Sequence, residues 1–449
     1  QPNDFTQNIG NGSYSTADSY VKQVWDGRYT GIRMCNQLLE NIDRVPDLDP
    51  ELKKRYIGEA KVLRAYNYYE LYTKFGDVPY TTKVLSIKES MSIARTDRAT
   101  VIANMLADLD EVINGNYLPA SYDADNKGRI TRWAAMAIKA KIYLFEGNWT
   151  QVKNITSTIM TEGGFRLFGS YAGLFEIANE YNSEVILDAQ YRPTSREHQM
   201  MYAFLPPSLG GYSQLSPLQE LVDSYIMLDG KTIRETGTSF DESNPYANRD
   251  PRLKATVMYT GNSYTLADGT EVVINCEKGE GKDGYGVGSD CSATGYYIKK
   301  YWDNTYRATL YSGLNPILIR YADILLMNAE ALAELGELDK TAWDATIKPI
   351  RDRAGFTLAS AVEFPEGASK DKLIEIVRNE RRSELALEGH RHKDIIRWRI
   401  ADDVLNGWCH GLKTNEVVGT DNGYVRVENR AFNANKHYLW PIPQAERDL

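Results

Sequence analysis

The sequence is short of cysteine, of histidine and of any long apolar run, and each shortage removes a class of function. Its four cysteines are Cys35, Cys276, Cys291 and Cys409. No two are spaced as CxxC, which removes a zinc ribbon and a thioredoxin-like dithiol. Cys276 and Cys291 flank a glycine-rich loop, and a bridge between them and a free pair are both open readings. Such a bridge would add about 3 kcal/mol on a chain-entropy argument and would suit an exported protein. No stretch reaches the roughly 18 apolar residues of a membrane-spanning helix. Basic runs are also missing, and the net charge is −9. A chain this acidic repels a phosphate backbone, so nucleic acid is not an expected partner. The opening residues QPNDFTQNIGNGSYS carry neither the basic start nor the apolar core of a signal peptide.

Catalytic signatures are equally sparse. The five histidines are His198, His390, His392, His410 and His437, and none falls in HExxH or beside a GxSxG nucleophile. His390 and His392 stand two apart on an expected helix, so they point to different sides. The string GEGKDG (279–284) fits GxGxxG and follows an expected strand, but no helix pattern follows it. Without a helix N-terminus there is no phosphate cradle. DADNKG (123–128) begins like a calcium loop and then places Lys127 and Ala134 where ligands belong. It reads as a turn, and no loop indicates a structural Ca²⁺. Glu380, Glu384 and Glu388 share a helix face, as a glycosidase carboxylate pair would require. Arg378, Arg381, Arg382 and Arg391 are interleaved with them, so ion pairing along the helix is the simpler expectation. No enzyme and no cofactor are expected.

What the chain does contain is helical periodicity and tyrosine. Val21, Trp25, Tyr29, Ile32, Leu39 and Ile42 recur at helical spacing over 21–42, with Asn36 a polar break. Leu52, Tyr56, Ala60, Leu63 and Leu71 do so over 51–75, and Gly76 suits the helix end. Further helices are expected over about 97–113 and 371–400. Two stretches, 129–160 and 319–350, each read as helix, glycine turn, helix. Aligning Gly147 with Gly336 sets Ala140 over Ala329 and Trp149 over Leu338. A small residue lets helices approach and a bulky one fills the gap, which is the packing logic of tetratricopeptide-type repeats. Between these regions, 176–314 is rich in Gly, Pro, Ser, Asn and Tyr, with short strand patterns at 183–191 and 271–275. Long loops on a large scaffold often carry function. The expected fold is mainly α: a tetratricopeptide-like helix-pair bundle at 21–175 and 315–449, with an irregular loop-rich lobe containing short strands at 176–314.

Several segments taken together resemble the SusD/RagB family of outer-membrane nutrient-binding lipoproteins of Bacteroidota. They are YTGIRMCNQLLENID (29–43), EAKVLRAYNYYELYTKFGDVPY (59–80), GRITRWAAMAIKAKIYLFEGNW (128–149), LVDSYIMLDGK (221–231) and NRDPRL (248–253). RYADILLMNAEALAELG (320–336), RDRAG (351–355), ERRSELALEGHRHKDIIRW (380–398) and YLWPIP (438–443) complete the set. Each is weak alone; the ordered set is specific and makes 1–449 a single SusD-like unit. The resemblance implies capture of an oligosaccharide or polysaccharide at the cell surface. It also implies delivery to a SusC-type TonB-dependent outer-membrane transporter, for which the protein acts as a lid. Family members begin at a lipidated cysteine, so the resemblance implies a lipid anchor and end segments not contained in this chain. It further implies that Glu380, Arg381, Glu384, Glu388, Arg391, Asp394 and Arg397 form a buried ion-pair web. Competing readings are a peptide-binding lid of the same kind of transporter and a tetratricopeptide scaffold for protein partners.

A sugar offers C–H groups on its face and hydroxyls on its rim, so a flat aromatic ring beside polar side chains is the expected site. Trp25, Trp133, Trp149, Trp343 and Trp398 sit in helical patterns and are expected in the core. Trp440 lies in a family structural motif, and Trp408 is ambiguous. Trp302, with Asp303, Asn304, Tyr306 and Arg307 beside it, is the leading platform. Asn11 with Tyr14, then Tyr202 with Tyr212, then Tyr285, are further ligand-binding expectations.

Overall fold

The structure is a computed structural model that describes residues 7–303, 305 and 310–448. The chain is mostly helical, and its strands are short. It falls into two compact units, one drawn from residues 4–164, 392–406 and 431–449, the other from 165–391 and 407–430. The helices between 321 and 384 thus share a unit with the loop-rich 176–314 stretch.

In the first unit, Ser19–Asn41 (α1) starts where the Asp18 carboxylate accepts from the Tyr20 and Val21 amides. Its buried face carries Val21, Trp25, Ile32, Cys35 and Asn36. The polar break is satisfied: Asn36 Nδ2 donates to the Thr81 and Lys83 carbonyls, and its Oδ1 accepts from Arg64 at 2.9 Å. Pro50–Phe75 (α2) begins with Asp49 as cap and Pro50 in the first turn, which needs no amide. It ends at Gly76, whose φ of +73° a side chain would strain. Arg98–Asn114 (α3) follows. Arg132–Phe145 (α4) and Trp149–Glu162 (α5) form the expected helix pair about Gly147, with Ala140 fully buried. No helix among the described residues is long and apolar enough to cross a membrane.

The second unit combines helices with four small sheets. Pro251–Thr256 (α6) lies in the NRDPRL segment. Tyr321–Leu335 (α7) and Lys340–Ala354 (α8) repeat the pairing about Gly336, with Ala329 buried as Ala140 is. Lys370–Glu384 (α9) stops short of the expected end at 400. Leu387 and Gly389 adopt positive φ, and a separate helix runs over Arg391–Arg397. The break has a cause: Glu388 is drawn inward to Lys300 and Arg320. His390 therefore lies outside any helix. The strands are Val185–Asp188 (β1), Val257–Met258 (β2), Ser263–Thr265 (β3), Glu271–Val273 (β4), Tyr297–Ile298 (β5) and Ile317–Arg320 (β6). They pair antiparallel as β1 with β6, β2 with β5 and β3 with β4. Asn406–Lys413 (β7), Thr420–Asp421 (β8) and Tyr424–Ala431 (β9) form a sheet in the order β7-β9-β8, which sequence periodicity did not reveal.

A buried ion web organises this unit. Arg252 reaches Asp250, Glu380 and Glu384 at 2.7–2.8 Å. Arg320 reaches Glu184, Glu384 and Glu388 at 2.6–2.7 Å. Arg351 pairs with Glu380, Arg353 with Glu184 and Glu384, and Lys300 with Glu388. Five cations thus face five carboxylates, which keeps the web neutral and each of its charges paired. Along α9 the exposed Lys372 and Glu375 pair at 3.0 Å, whereas Glu380 and Glu384 take cations from other segments. Arg381 turns to Asp323, Arg378 to Glu334, and Arg382 to the Glu220 carbonyl. Glu380 and Glu384 face the interior, where the cations come from other segments. Burial alone would raise the Glu384 carboxyl, but Arg353, Arg320 and Arg252 hold it well below the usual carboxylate range.

Candidate ligand-binding cleft

All four cysteines are free; Cys276 is buried, and the Cys291 thiol donates to the Lys282 carbonyl. Cys276 lies in the wall of a cleft of about 930 Å³ in the second unit. Three segments build this cleft: 242–246, 276–280 and the β7–β9 hairpin residues 412–424. Their positions follow from local chemistry. The Asp241 carboxylate accepts from the Ser243 amide and hydroxyl, fixing the first turn. The hairpin is seated by a hydrogen bond from the Leu412 amide to the Thr294 carbonyl at 2.7 Å. Gly295 permits that approach, because a Cβ there would lie 1.8 Å from Leu412 Cδ2.

Tyrosines form the aromatic part of the lining. Tyr246 stacks on Tyr259 with ring centroids 4.0 Å apart and planes 15° apart. Its hydroxyl is 3.2 Å from that of Tyr296, which donates to Gln219 Oε1 at 2.5 Å. Tyr424 stands on β9 with the Lys413 ammonium 5.6 Å from its ring. Burial pushes the Tyr246 hydroxyl up to about 12, puts that of Tyr296 well above its usual value, and raises that of Tyr424. All three therefore keep their protons at neutral pH and act as both donors and acceptors. Asn244, Asn415, Thr260 and Thr414 add neutral polar groups. Two ion pairs cross the rim, Lys413 with Glu242 at 2.7 Å and Lys278 with Glu416. Rings for an apolar face, with hydroxyls and amides for a polar edge, suit a polyhydroxylated ligand. No group of three or more potential metal ligands occurs among the described residues. Burial raises the Cys276 thiol, so it is no nucleophile.

Among the described residues, none of those expected from sequence lines this cleft. The Trp302 indole donates to the Thr265 carbonyl at 2.9 Å, and its ring packs on buried Tyr264. Asp303 is buried and accepts from the Thr305 and Ser312 hydroxyls, so it is a turn-former rather than a free rim group. Tyr306 and Arg307 lie outside the described residues, as does Asn304. Tyr14 is only 3% exposed, and its hydroxyl donates to the His437 carbonyl, leaving no open ring face. Asn11 caps its own turn, accepting from the Ser13 amide. Tyr285 is part-buried against the unit's core. Tyr202 and Tyr212 do come together, stacked at 4.2 Å, and Tyr212 is 42% exposed, which makes them a second aromatic surface. Of the tryptophans expected inside, Trp25, Trp133, Trp343 and Trp398 are buried and Trp149 is part-buried. Trp440 is also buried, whereas Trp408 is exposed. Tyr246 and Tyr424, half-buried in the lining, were missed because no single segment marks them, and only the run NPYANRDPRL, placing Tyr246 just before a recognisable motif, offered a signal; Tyr296 is 2% exposed with its hydroxyl spent on Gln219 and offers no open ring face.

Comparison with known proteins agrees with this architecture. The SusD family model matches residues 174–449. A second model, described as starch-binding associating with outer membrane, matches residues 3–144. SusD-like protein P25 of Formosa agariphila is 27% identical over 410 residues, covering 86% of this chain and 71% of that protein. A SusD-like carbohydrate binding protein of Bacteroides fragilis superimposes with a TM-score of 0.89 at 30% identity, over 100% of this chain and 88% of the other. A laminarin binding SusD-like protein shares the fold, with a TM-score of 0.69 at 24% identity, over 100% of this chain and 88% of that one. The family model over residues 174–449 and the 30% identical Bacteroides fragilis structure place the chain in the SusD family.

Proposed function

We propose that this protein is a non-catalytic binder that captures glycan chains at the outer surface of the cell and passes them to a TonB-dependent outer-membrane transporter. The observation that carries the reading is the tyrosine- and amide-lined cleft of about 930 Å³ in a chain of this family. The carbohydrate binding of its Bacteroides fragilis relative and the laminarin binding of a second structural neighbour support the ligand class. Association with the outer membrane is supported by the description of the family that matches residues 3–144, and attachment through a lipid is part of the proposal. Within the chain, the loop-rich stretch 176–314 supplies most of the ligand contacts and the helix pairs supply the scaffold.

The test is affinity electrophoresis and calorimetry on neutral polysaccharides with the wild type and four variants. Tyr246→Ala and Tyr424→Ala are expected to weaken binding at least tenfold, equivalent to ~1.4 kcal/mol. Tyr212→Ala and Trp302→Ala are expected to leave it within twofold. Loss with Tyr212→Ala and none with the cleft variants would move the site to the Tyr202–Tyr212 surface. Binding to peptides and to no glycan would overturn the ligand class.

A further inference from the structure

We propose that the cleft selects uncharged glycans and rejects uronic and sulfated ones; this deepens the glycan-binding reading and rests on it. The charged groups lining the cleft are Glu242, Glu277, Glu280 and Glu416 against Lys278 and Lys413. Both ammonium groups are already committed, Lys413 to Glu242 at 2.7 Å and Lys278 to Glu416. An anionic sugar that recruits either lysine must share the ammonium with the carboxylate already beside it and meets that carboxylate's repulsion. Glu277 and Glu280 add two exposed negative charges at the same wall.

Nearby cations do not alter this balance. Arg249, whose charge reaches Tyr246 and Tyr296, is buried and donates to the Val222, Tyr225 and Pro245 carbonyls. Arg234 is paired with Asp223 at 2.9 Å. Recognition of a carboxylate or sulfate characteristically uses the two-pronged guanidinium, and among the described residues no arginine lines the cleft. An anionic substituent about 5 Å from each of two carboxylates in water-like surroundings, screened at physiological salt, is disfavoured by about fivefold overall. Without added salt the factor rises to about tenfold or more.

The experiment uses matched pairs. Fragments of β-1,3-glucan, α-1,4-glucan and β-1,4-mannan are each compared with the same fragment after oxidation of its primary alcohols to carboxylates. Affinities are measured by calorimetry in low and in physiological salt. The expected result is that any neutral fragment bound is held at least fivefold more tightly than its oxidised form. The ratio should shrink as salt rises and fall toward one in the Glu277→Gln/Glu280→Gln double variant. Equal or tighter binding of the oxidised form overturns the selectivity and leaves glycan capture standing. A ratio that ignores both salt and the double variant assigns the discrimination to shape and also overturns the electrostatic inference. Binding of no fragment, neutral or oxidised, removes the glycan reading itself.

Discussion

Replacing Arg320 by methionine tests the buried web where it is most concentrated. The guanidinium donates to Glu388 from Nε and Nη2, to Glu184 and Glu384 from Nη1, and to the Glu384 carbonyl from Nη2, all at 2.6–2.8 Å. Methionine fills much of the volume but leaves four cations facing five carboxylates in a site closed to water. Removing one partner of a buried pair costs about 3–5 kcal/mol, because the remaining charge is stranded. With a urea m-value of about 4 kcal/mol/M for a chain this long, the unfolding midpoint is expected to fall by about 1 M. Adding Glu388→Gln removes one surplus charge, so the double variant is expected to lose less than the two single losses combined, by about 1–3 kcal/mol. Acid should expose the same web. The Glu384 carboxyl is depressed in the native state, so its stabilisation is complete above the unfolded value of about 4.3. That stabilisation is lost as pH falls through the native value. Arg320→Met weakens the depression, and the variant is expected to unfold at a higher pH than the wild type. Urea titrations followed by circular dichroism at several pH values measure all three effects. A loss below 1 kcal/mol with additive double-mutant energies would refute the web as a stabilising unit.

His392 gives a second pH test: burial, then the charges of Lys74 and Lys393, lower it to about 4. Between about 6.5 and about 4 the unfolded chain binds the proton first, so native stability falls with pH over that window. His392→Phe should show a shallower slope there in the same titrations. Gly295→Val places a side chain into Leu412, at a backbone φ of +73°. The expected cost is about 2 kcal/mol or more, with weaker glycan binding because the hairpin wall is displaced; calorimetry beside urea melts checks both. Tyr212→Ala removes a ring that is 42% exposed and is expected to change stability by less than about 1 kcal/mol.

The scaffold was legible in the sequence because its information is local. Gly76 marks a helix end within a turn of where it acts, and burial of Ala140 and Ala329 follows from spacing around Gly147 and Gly336. The acidic run of α9 was legible as an ion-pair element, but its partners were not. Arg252, Arg320 and Lys300 come from distant segments, and a one-dimensional reading favours the arginines three or four positions away. The same limit hid the break after Glu384, since helical periodicity continues through a turn that tertiary charge pairing imposes.

The cleft lay further out of reach. Gln219, Tyr246, Tyr296 and Tyr424 meet only after the hairpin packs on Thr294 and Gly295, and no period or spacing links them. Trp302 looked like a platform because it lies outside any helical pattern. Its indole hydrogen bond and its contact with Tyr264 depend on a strand pair that composition does not announce. Sequence alone therefore determined the helices, their caps and the family, which depend on neighbours within a few residues. Tertiary structure decided which tyrosines line a cleft and which charges are spent on one another, because both depend on contacts between remote segments.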